Sequence, residues 1–305
     1  HLADCLREGA DRFGWAPRDP TPGTRREGRW LVGTGLAAST YPARRRPSGA
    51  LARTEPDGTF TVALAAVDIG TGARTALTQI AADALGVGTD RVRLLLGDSS
   101  LPSAPVAGGS MGTASWGSAV VRACEGLNDR LAAGTPLTGV VEVRADTTEE
   151  VESEEERARH GFGAQFAEAR VNMDTGEVRV PRLLGVFAVG TIINARTARS
   201  QLIGGMTMGL SMALHEQSVL DEEFGDFLSR DLATYHVATC ADVGSIDATW
   251  IDEPDDHLNP MGAKGIGEIG IVGTAAAVGN AVYHACGVRV RRLPIQPDRL
   301  VGLVH

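Results

Sequence analysis

Between Thr59 and Val67 the apolar side chains of Phe60, Val62, Leu64 and Ala66 alternate with their neighbours, the period of a strand with one buried face. The spacing then changes. After the turn Asp68-Ile-Gly-Thr-Gly, residues Ala76, Leu77, Ile80, Ala81, Ala84 and Leu85 recur at helical intervals, and Gly86 ends that helix. A second strand follows at Val92–Leu96, so this region reads as strand, glycine turn, helix, strand. The interleaving continues in both directions. Helices are expected over Leu2–Phe13 and Ala119–Leu127, the latter behind a small-residue loop at 107–118, with an apolar segment at Trp30–Gly35. Strands are expected over Phe162–Val186, joined by a hairpin turn at Asn172-Met-Asp-Thr-Gly-Glu in which Gly176 suits a left-handed position. Further on come an apolar helix at 197–217, a polar stretch at Asp221–Arg230, a strand near Ile246–Ile251 and a helix over Gly273–Cys286 stopped by Gly287. Elements mixed in this way predict an α+β fold, mixed sheets with packed helices.

Composition narrows the partners. With 43% hydrophobic residues in 305, the chain can fill one large core or two smaller ones. Its 38 glycines against three tyrosines and seven phenylalanines favour tight turns and close backbone approach over an aromatic stacking platform. A formal charge of −9 argues against a polyanionic partner, and the run Arg44-Arg45-Arg46 is too short to reverse that, so no nucleic acid is expected. No apolar run approaches the ~20 residues that span a bilayer, and no membrane is expected either. Cys5, Cys124, Cys240 and Cys286 are dispersed without a C-x-x-C pair, which points to reduced thiols rather than a zinc ribbon or iron–sulfur cluster in this chain. Six glutamates between Glu149 and Glu156 crowd a segment that reads as a solvated helix or mobile connector. It divides the chain into a first part at 1–127, an acidic connector at 128–160 and a second part at 161–305.

The candidate chemistry lies in three small-residue loops, each at or near a helix start. These are Asp68–Gly72, Gly108–Ser118 and Gly262–Gly270. Glycine at such density costs conformational entropy and is justified where backbone takes positive φ or approaches a ligand closely. Together the loops could wrap a phosphorylated cofactor with backbone amides. Neither a P-loop nor a dinucleotide fingerprint is present, since Gly70-Thr-Gly72 lacks the third glycine and the later acid. Gly262-Ala-Lys-Gly-Ile-Gly-Glu-Ile-Gly carries one base, Lys264, and one acid, Glu268. Two readings stand side by side: a surface ion pair worth ~0–1 kcal/mol, or a carboxylate in a partly dry pocket, raised toward neutrality and acting as a general base.

The string Asn259-Pro-Met-Gly-Ala-Lys-Gly-Ile-Gly-Glu-Ile-Gly-Ile-Val-Gly-Thr resembles the carboxy-terminal region of the molybdenum-binding subunit of the xanthine dehydrogenase and aldehyde oxidoreductase family. Asp68-Ile-Gly-Thr-Gly, Leu96-Gly-Asp-Ser-Ser-Leu-Pro, Gly108-Gly-Ser-Met-Gly-Thr-Ala-Ser, Phe162-Gly-Ala-Gln-Phe-Ala-Glu, Asn194 and Thr197-Ala-Arg-Ser-Gln are similar to other family stretches, in the family's order. The nearest likeness is to bacterial three-subunit aldehyde oxidoreductases. The resemblance implies a molybdopterin cytosine dinucleotide cofactor with molybdenum held through the pterin and no protein ligand. It implies Glu268 as the base that takes a proton from an oxygen nucleophile bound for an aldehyde or aromatic N-heterocycle. Gly70, Thr71, Gly72, Ser110, Met111, Gly112, Thr113, Ala114 and Ser115 would contact the cofactor, and Lys264, Gly265 and Gly267 would line the approach to Glu268.

Partners follow from the same likeness: an iron–sulfur (2Fe-2S) subunit and an FAD subunit that carry electrons away. Thr71 and Met208 stand where xanthine dehydrogenases carry glutamine, which makes purine substrates less expected. Family subunits are more than twice as long, and the chain starts at His1 rather than Met, so a fragment is expected. The alternative to a catalytic part is a truncated, non-catalytic cofactor-binding or scaffold piece. The cytoplasm is the expected compartment, or the periplasm where a partner carries an export signal.

Overall fold

The computed structural model describes residues 1–134, 139–154, 157–255 and 257–302. The first half runs α1 (Leu2–Phe13), β1 (Arg26–Glu27), β2 (Trp30–Pro42), β3 (Gly49–Thr54), β4 (Phe60–Leu64), α2 (Ala73–Leu85), β5 (Val92–Leu96), α3 (Gly112–Ala132) and β6 (Glu142–Asp146). The second runs α4 (Thr148–Glu152), β7 (His160–Asn172), β8 (Val178–Ala188), α5 (Ala195–Leu214), β9 (Leu220–Asp221), β10 (Asp226–Phe227), β11 (Ser245–Ile251), α6 (Ile269–Val272) and α7 (Thr274–Cys286). As expected, the architecture is mixed sheets with helices packed on them.

A five-stranded sheet, in the order β1-β2-β7-β8-β11, is antiparallel except for its last pair, and a four-stranded sheet has the order β5-β4-β3-β6. Helices α5 and α7 cover one face of the larger sheet around Leu183, Leu202, Met206 and Val278. Helix α1 covers the other, where Phe13 and Phe166 stack with ring centres 5.5 Å apart. Because β7 is covered on both faces, its residues 163–167 are buried without a break, the polar Gln165 among them. Helices α2 and α3 lie on the smaller sheet and form a second core around Leu64, Leu77, Trp116 and Leu127.

Helix α7 approaches β2 at backbone distance. A Cβ on Gly33 would fall 2.1 Å from the amide nitrogen of Ala285, and one on Gly35 would fall 2.2 Å from that of Ala281. Ala277, Ala281 and Ala285, at four-residue spacing, present the matching small-residue stripe. This contact draws the chain between α6 and the end of α7 onto the same sheet as β2, and so fixes where the Glu268 loop enters.

Several expectations need correction. The sheets do not follow the division at 127 and 161, because residues 1–42 belong with the second part: β2 pairs along its whole length with β7. Strand β3 has no alternation to betray it, since Gly49-Ala-Leu-Ala is buried on both faces. The acidic segment is not only a connector, for Glu142–Asp146 pairs with β3, and Glu150 and Glu154 hold Arg45, whose side chain is 6% exposed. Glu155 and Glu156, named in that reading, lie outside the described residues. Helix α3 begins at Gly112, inside the segment read as a loop. Ile269–Cys286 does have the length and hydropathy to cross a bilayer, yet 56% of it is buried and α7 packs on β2 and β7 as a core helix. Cys5 and Cys124 are buried thiols, pushed up to about 11 and about 12 by desolvation, whereas Cys240 is exposed.

Candidate functional site

The three loops meet. A cavity of about 360 Å³ lies between the two sheets' helices, lined by Thr71, by Ser110, Met111, Gly112 and Thr113, by Asn194, Thr197 and Gln201, and by Lys264 to Glu268. Ile69, Trp116, Ile192, Ile193 and Ile266 supply its apolar wall. Of the residues named from sequence, Gly70, Gly72, Ala114 and Ser115 do not line it. The Ser115 hydroxyl donates to the Met111 carbonyl and accepts from the Arg46 amide, on the other side of the helix. Gly72 packs instead on the start of α5, where its Cβ would sit 2.6 Å from Thr197.

Helices α2, α3 and α5, of 13, 21 and 20 residues, all begin at this cavity. Each brings the partial positive charge of unsatisfied first-turn amides. They are not equivalent. At α2 the Asp68 carboxylate accepts from the amides of Gly70 (3.0 Å), Gly72 (3.3 Å) and Arg74 (3.0 Å). These bonds, that from Arg74 foremost, hold the Asp68 carboxyl below its ordinary range. The Asp68–Gly72 turn therefore spends its amides internally, contrary to the expectation that they would face a phosphate. At α5 the Asn194 side chain accepts from the Thr197 amide at 3.0 Å. At α3 no side chain accepts from a first-turn amide, as Asp68 does from Arg74 at α2 and Asn194 from Thr197 at α5, so the amides at Gly112 and Thr113 remain for an anion from outside. The glycine at 112 is explained by the helix itself: a Cβ there would meet the Trp116 ring at 2.8 Å.

The Glu268 loop is placed by contacts on several sides. Ala263 bridges Gly190 just past β8, through Lys264 N–H to Val189 C=O (3.0 Å) and Thr191 N–H to Gly262 C=O (2.9 Å). Asn259 closes the approach by donating to the Ala263 carbonyl at 2.8 Å. Ser110 holds the far end, its hydroxyl accepting from the Glu268 amide at 3.0 Å. With φ of 53°, Ser110 is the one non-glycine residue in the left-handed region among those described, a conformation that side chains adopt at a cost. Gly265 and Gly267 let the two loops touch, since a Cβ on Gly265 would lie 1.8 Å from the Ser110 carbonyl oxygen and one on Gly267 3.0 Å from its hydroxyl.

Glu268 itself is half-buried, and its Oε2 is out of contact with solvent and without a hydrogen-bond partner among the described residues. It does not pair with Lys264, whose ammonium is bound to Glu253 instead, so the surface-pair reading fails. The Tyr41 phenol is raised by burial first and then by the charge of neighbouring Glu268. Tyr41 has no local sequence signal and comes beside Glu268 only through tertiary packing, whereas Gln201 and Trp116 lie in stretches singled out in sequence but are not named there as site residues. Met208, matched in sequence to a glutamine of xanthine dehydrogenases, is 61% exposed and absent from the lining, two helical turns beyond Gln201. Among the described residues no three or more His, Cys, Asp or Glu side chains gather as a metal site.

The model of the molybdopterin cofactor-binding domain matches residues 8–138 and 133–244. This chain belongs to the molybdopterin cofactor-binding domain family. Over 98% of its length it is 41% identical to the aldehyde oxidoreductase molybdenum-binding subunit PaoC of Escherichia coli K12, and 28% identical to the same organism's probable hypoxanthine oxidase XdhD. It spans 44% and 34% of those proteins, less than half of either. Among solved structures, the aldehyde oxidoreductase of Desulfovibrio gigas superposes with a TM-score of 0.83 at 23% identity, covering 98% of this chain and 35% of that one. Quinoline 2-oxidoreductase of Pseudomonas putida 86 gives 0.81 at 22%, over 98% and 44%. The residues present in this cofactor-binding domain fit the group its family name implies. An open helix N-terminus suits a phosphorylated tail, and the glycine contacts leave a cradle that side chains would fill.

Proposed function

We propose that this chain is the carboxy-terminal, cofactor-seating part of a molybdenum hydroxylase large subunit that oxidises aldehydes or hydroxylates aromatic N-heterocycles with oxygen from water, Glu268 being the general base. The observation that carries the reading is Glu268: a carboxylate whose Oε2 is shielded from water and unpartnered, in the wall of a cavity built to receive an anion. A molybdopterin cytosine dinucleotide, when bound, supplies the two-electron redox chemistry. The protein's own residues do the rest. The first-turn amides of α3 at Gly112 and Thr113, with Ser110, Met111 and Thr71, seat the cofactor, and Lys264, Gly265 and Gly267 shape the approach. Glu268 Oε2 accepts a proton and holds it, which an ionised carboxylate does readily when shielded from water. Ser110 fixes the backbone of Glu268, and the apolar wall of Ile69, Trp116, Ile192 and Ile266 excludes bulk water from it. Gly70 and Gly72 support the site by shaping the Asp68 turn, Ala114 and Ser115 by starting α3. An iron–sulfur subunit and an FAD subunit would take the electrons, in a cytoplasmic complex. The PaoC relatives, named as an aldehyde oxidoreductase subunit, favour aldehydes over purines.

The test is turnover of the full-length subunit, assembled with its partner chains, on an aldehyde, an aromatic N-heterocycle and a purine in heavy-oxygen water. Acid or hydroxylated product carrying the solvent's oxygen is expected, with the aldehyde preferred. Product without solvent oxygen would contradict the reading. Because the chain spans less than half of its relatives, it is not expected to turn over substrate alone.

A further inference from the structure

Of the 29 lysine and arginine residues in this chain, Lys264 alone is a lysine. It is also deeply buried. Its side chain is 5% exposed and that of its partner Glu253 is 4% exposed. The ammonium hydrogen-bonds Glu253 Oε1 and lies 3.6 Å from Asp255 Oδ2. The His1 imidazole stands 3.1 Å from the other Glu253 oxygen, out of line for a hydrogen bond.

Taking two opposite charges out of water is costly, and an apolar pair of similar volume would stabilise the fold as well or better, so stability alone does not account for this one. Its place suggests the reason. Glu253 follows β11 by two residues, and Lys264 precedes Glu268 by four. The pair therefore ties the edge of the five-stranded sheet to the loop that carries the proton acceptor. A compact ammonium on a flexible stem can sit between two carboxylates in a space where the planar guanidinium, used everywhere else in this chain, would need more room.

We propose that the buried Lys264–Glu253 pair is the lock that positions Glu268, making Lys264 a positioning residue rather than a substrate or cofactor ligand through its charge. The loop's other fastenings lie at its two ends: the bonds of Gly262, Ala263 and the Lys264 amide to Thr191, Asn259 and Val189 on one side, and that of the Glu268 amide to the Ser110 hydroxyl on the other. Between them the Lys264 side chain is the anchor that sets how far Gly265, Ile266 and Gly267 stand from the cavity. The inference rests on the reading of Glu268 as the base, but its structural part can be measured without turnover.

The experiment compares the full-length assembled subunit with Glu253→Gln and with the charge-free double variant Lys264→Met/Glu253→Gln, the second guarding against misfolding from one unpaired buried charge. Hydrogen–deuterium exchange over residues 262–268 is read in each, with kcat and KM for an aldehyde. Exchange at least ~10-fold faster is expected in both, with kcat lowered ~10²-fold, the loss typical of a misplaced catalytic group, and KM changed little. Asp255→Asn, at the longer and more exposed contact, should produce a much smaller change. Unchanged exchange in the double variant would overturn the lock, and so would faster exchange with kcat intact or with the whole effect in KM. Failure of the base assignment looks different: Glu268→Gln would then keep its turnover whatever the exchange shows.

Discussion

Glu268→Gln in the full-length subunit is expected to retain its molybdenum while turnover falls by ~10²–10⁴-fold or more, the contribution of a lost general base. The substitution is nearly isosteric. Glutamine keeps the backbone bond from the Glu268 amide to Ser110 and fills the same space, but its amide cannot accept and hold a proton. The wild-type Oε2 has no hydrogen-bond partner among the described residues, and the neighbour that feels the carboxylate's charge is the Tyr41 phenol, which a glutamine amide can still contact. Stability should change little for that reason. Metal content and kcat measured on the same preparation separate the two effects, and near-normal turnover at full metal loading would remove Glu268 from the mechanism.

Gly265→Ala should lower kcat by ~10²-fold through displacement alone, since an error of about 1 Å at a reacting group costs that much. The new methyl group would lie 1.8 Å from the Ser110 carbonyl oxygen, and the obstacle is backbone rather than a flexible side chain. One of the two loops has to move. Both outcomes disturb the site, because Ser110 holds the Glu268 amide and stands beside the open end of α3. The cost to stability is expected to be ~1–3 kcal/mol, as for other forced overpacking, so the variant should fold. Gly204→Ala is the control: its Cβ would meet nothing within 4 Å, and neither kcat nor the thermal midpoint should fall. Equal kcat in the two alanine variants would show that contact between the loops does not set the geometry of Glu268.

Much of this fold is legible in the residue order, and what is hidden has physical causes. The hairpin at Asn172–Glu177 and the helix stops at Gly86 and Gly287 are local, so glycine at positive φ marks them directly. Strand β3 is hidden because it is buried on both faces and its alanines and glycine carry no alternation. The start of α3 is hidden because Gly-Thr-Ala-Ser has the composition of a loop, although Trp116 covers Gly112 once the helix forms. The acidic segment misleads for a different reason. Its glutamates look solvated until Arg45, over a hundred positions earlier, is brought beneath Glu150 and Glu154.

The site divides along the same line. The glycine loops and Glu268 are visible because their spacing is unusual, and all three loops contribute to one cavity. Which amides stay open is not visible, because the Asp68 carboxylate folds back on its own turn while α3 is left without a cap. Lys264 shows the limit most clearly. Four residues from Glu268 in a flexible-looking loop, it invites pairing with that acid, and only the path of β11 reveals Glu253 as its partner.

The most direct measurement is molybdenum by elemental analysis together with cytidine monophosphate released on acid hydrolysis, made on the full-length subunit with its partner chains and on the 305-residue chain by itself. Molybdenum and cytidine monophosphate equimolar with the assembled subunit, and lacking from the chain alone, are the predicted result. Neither of them in the assembled protein would contradict the cofactor seat and leave the cavity without its proposed occupant.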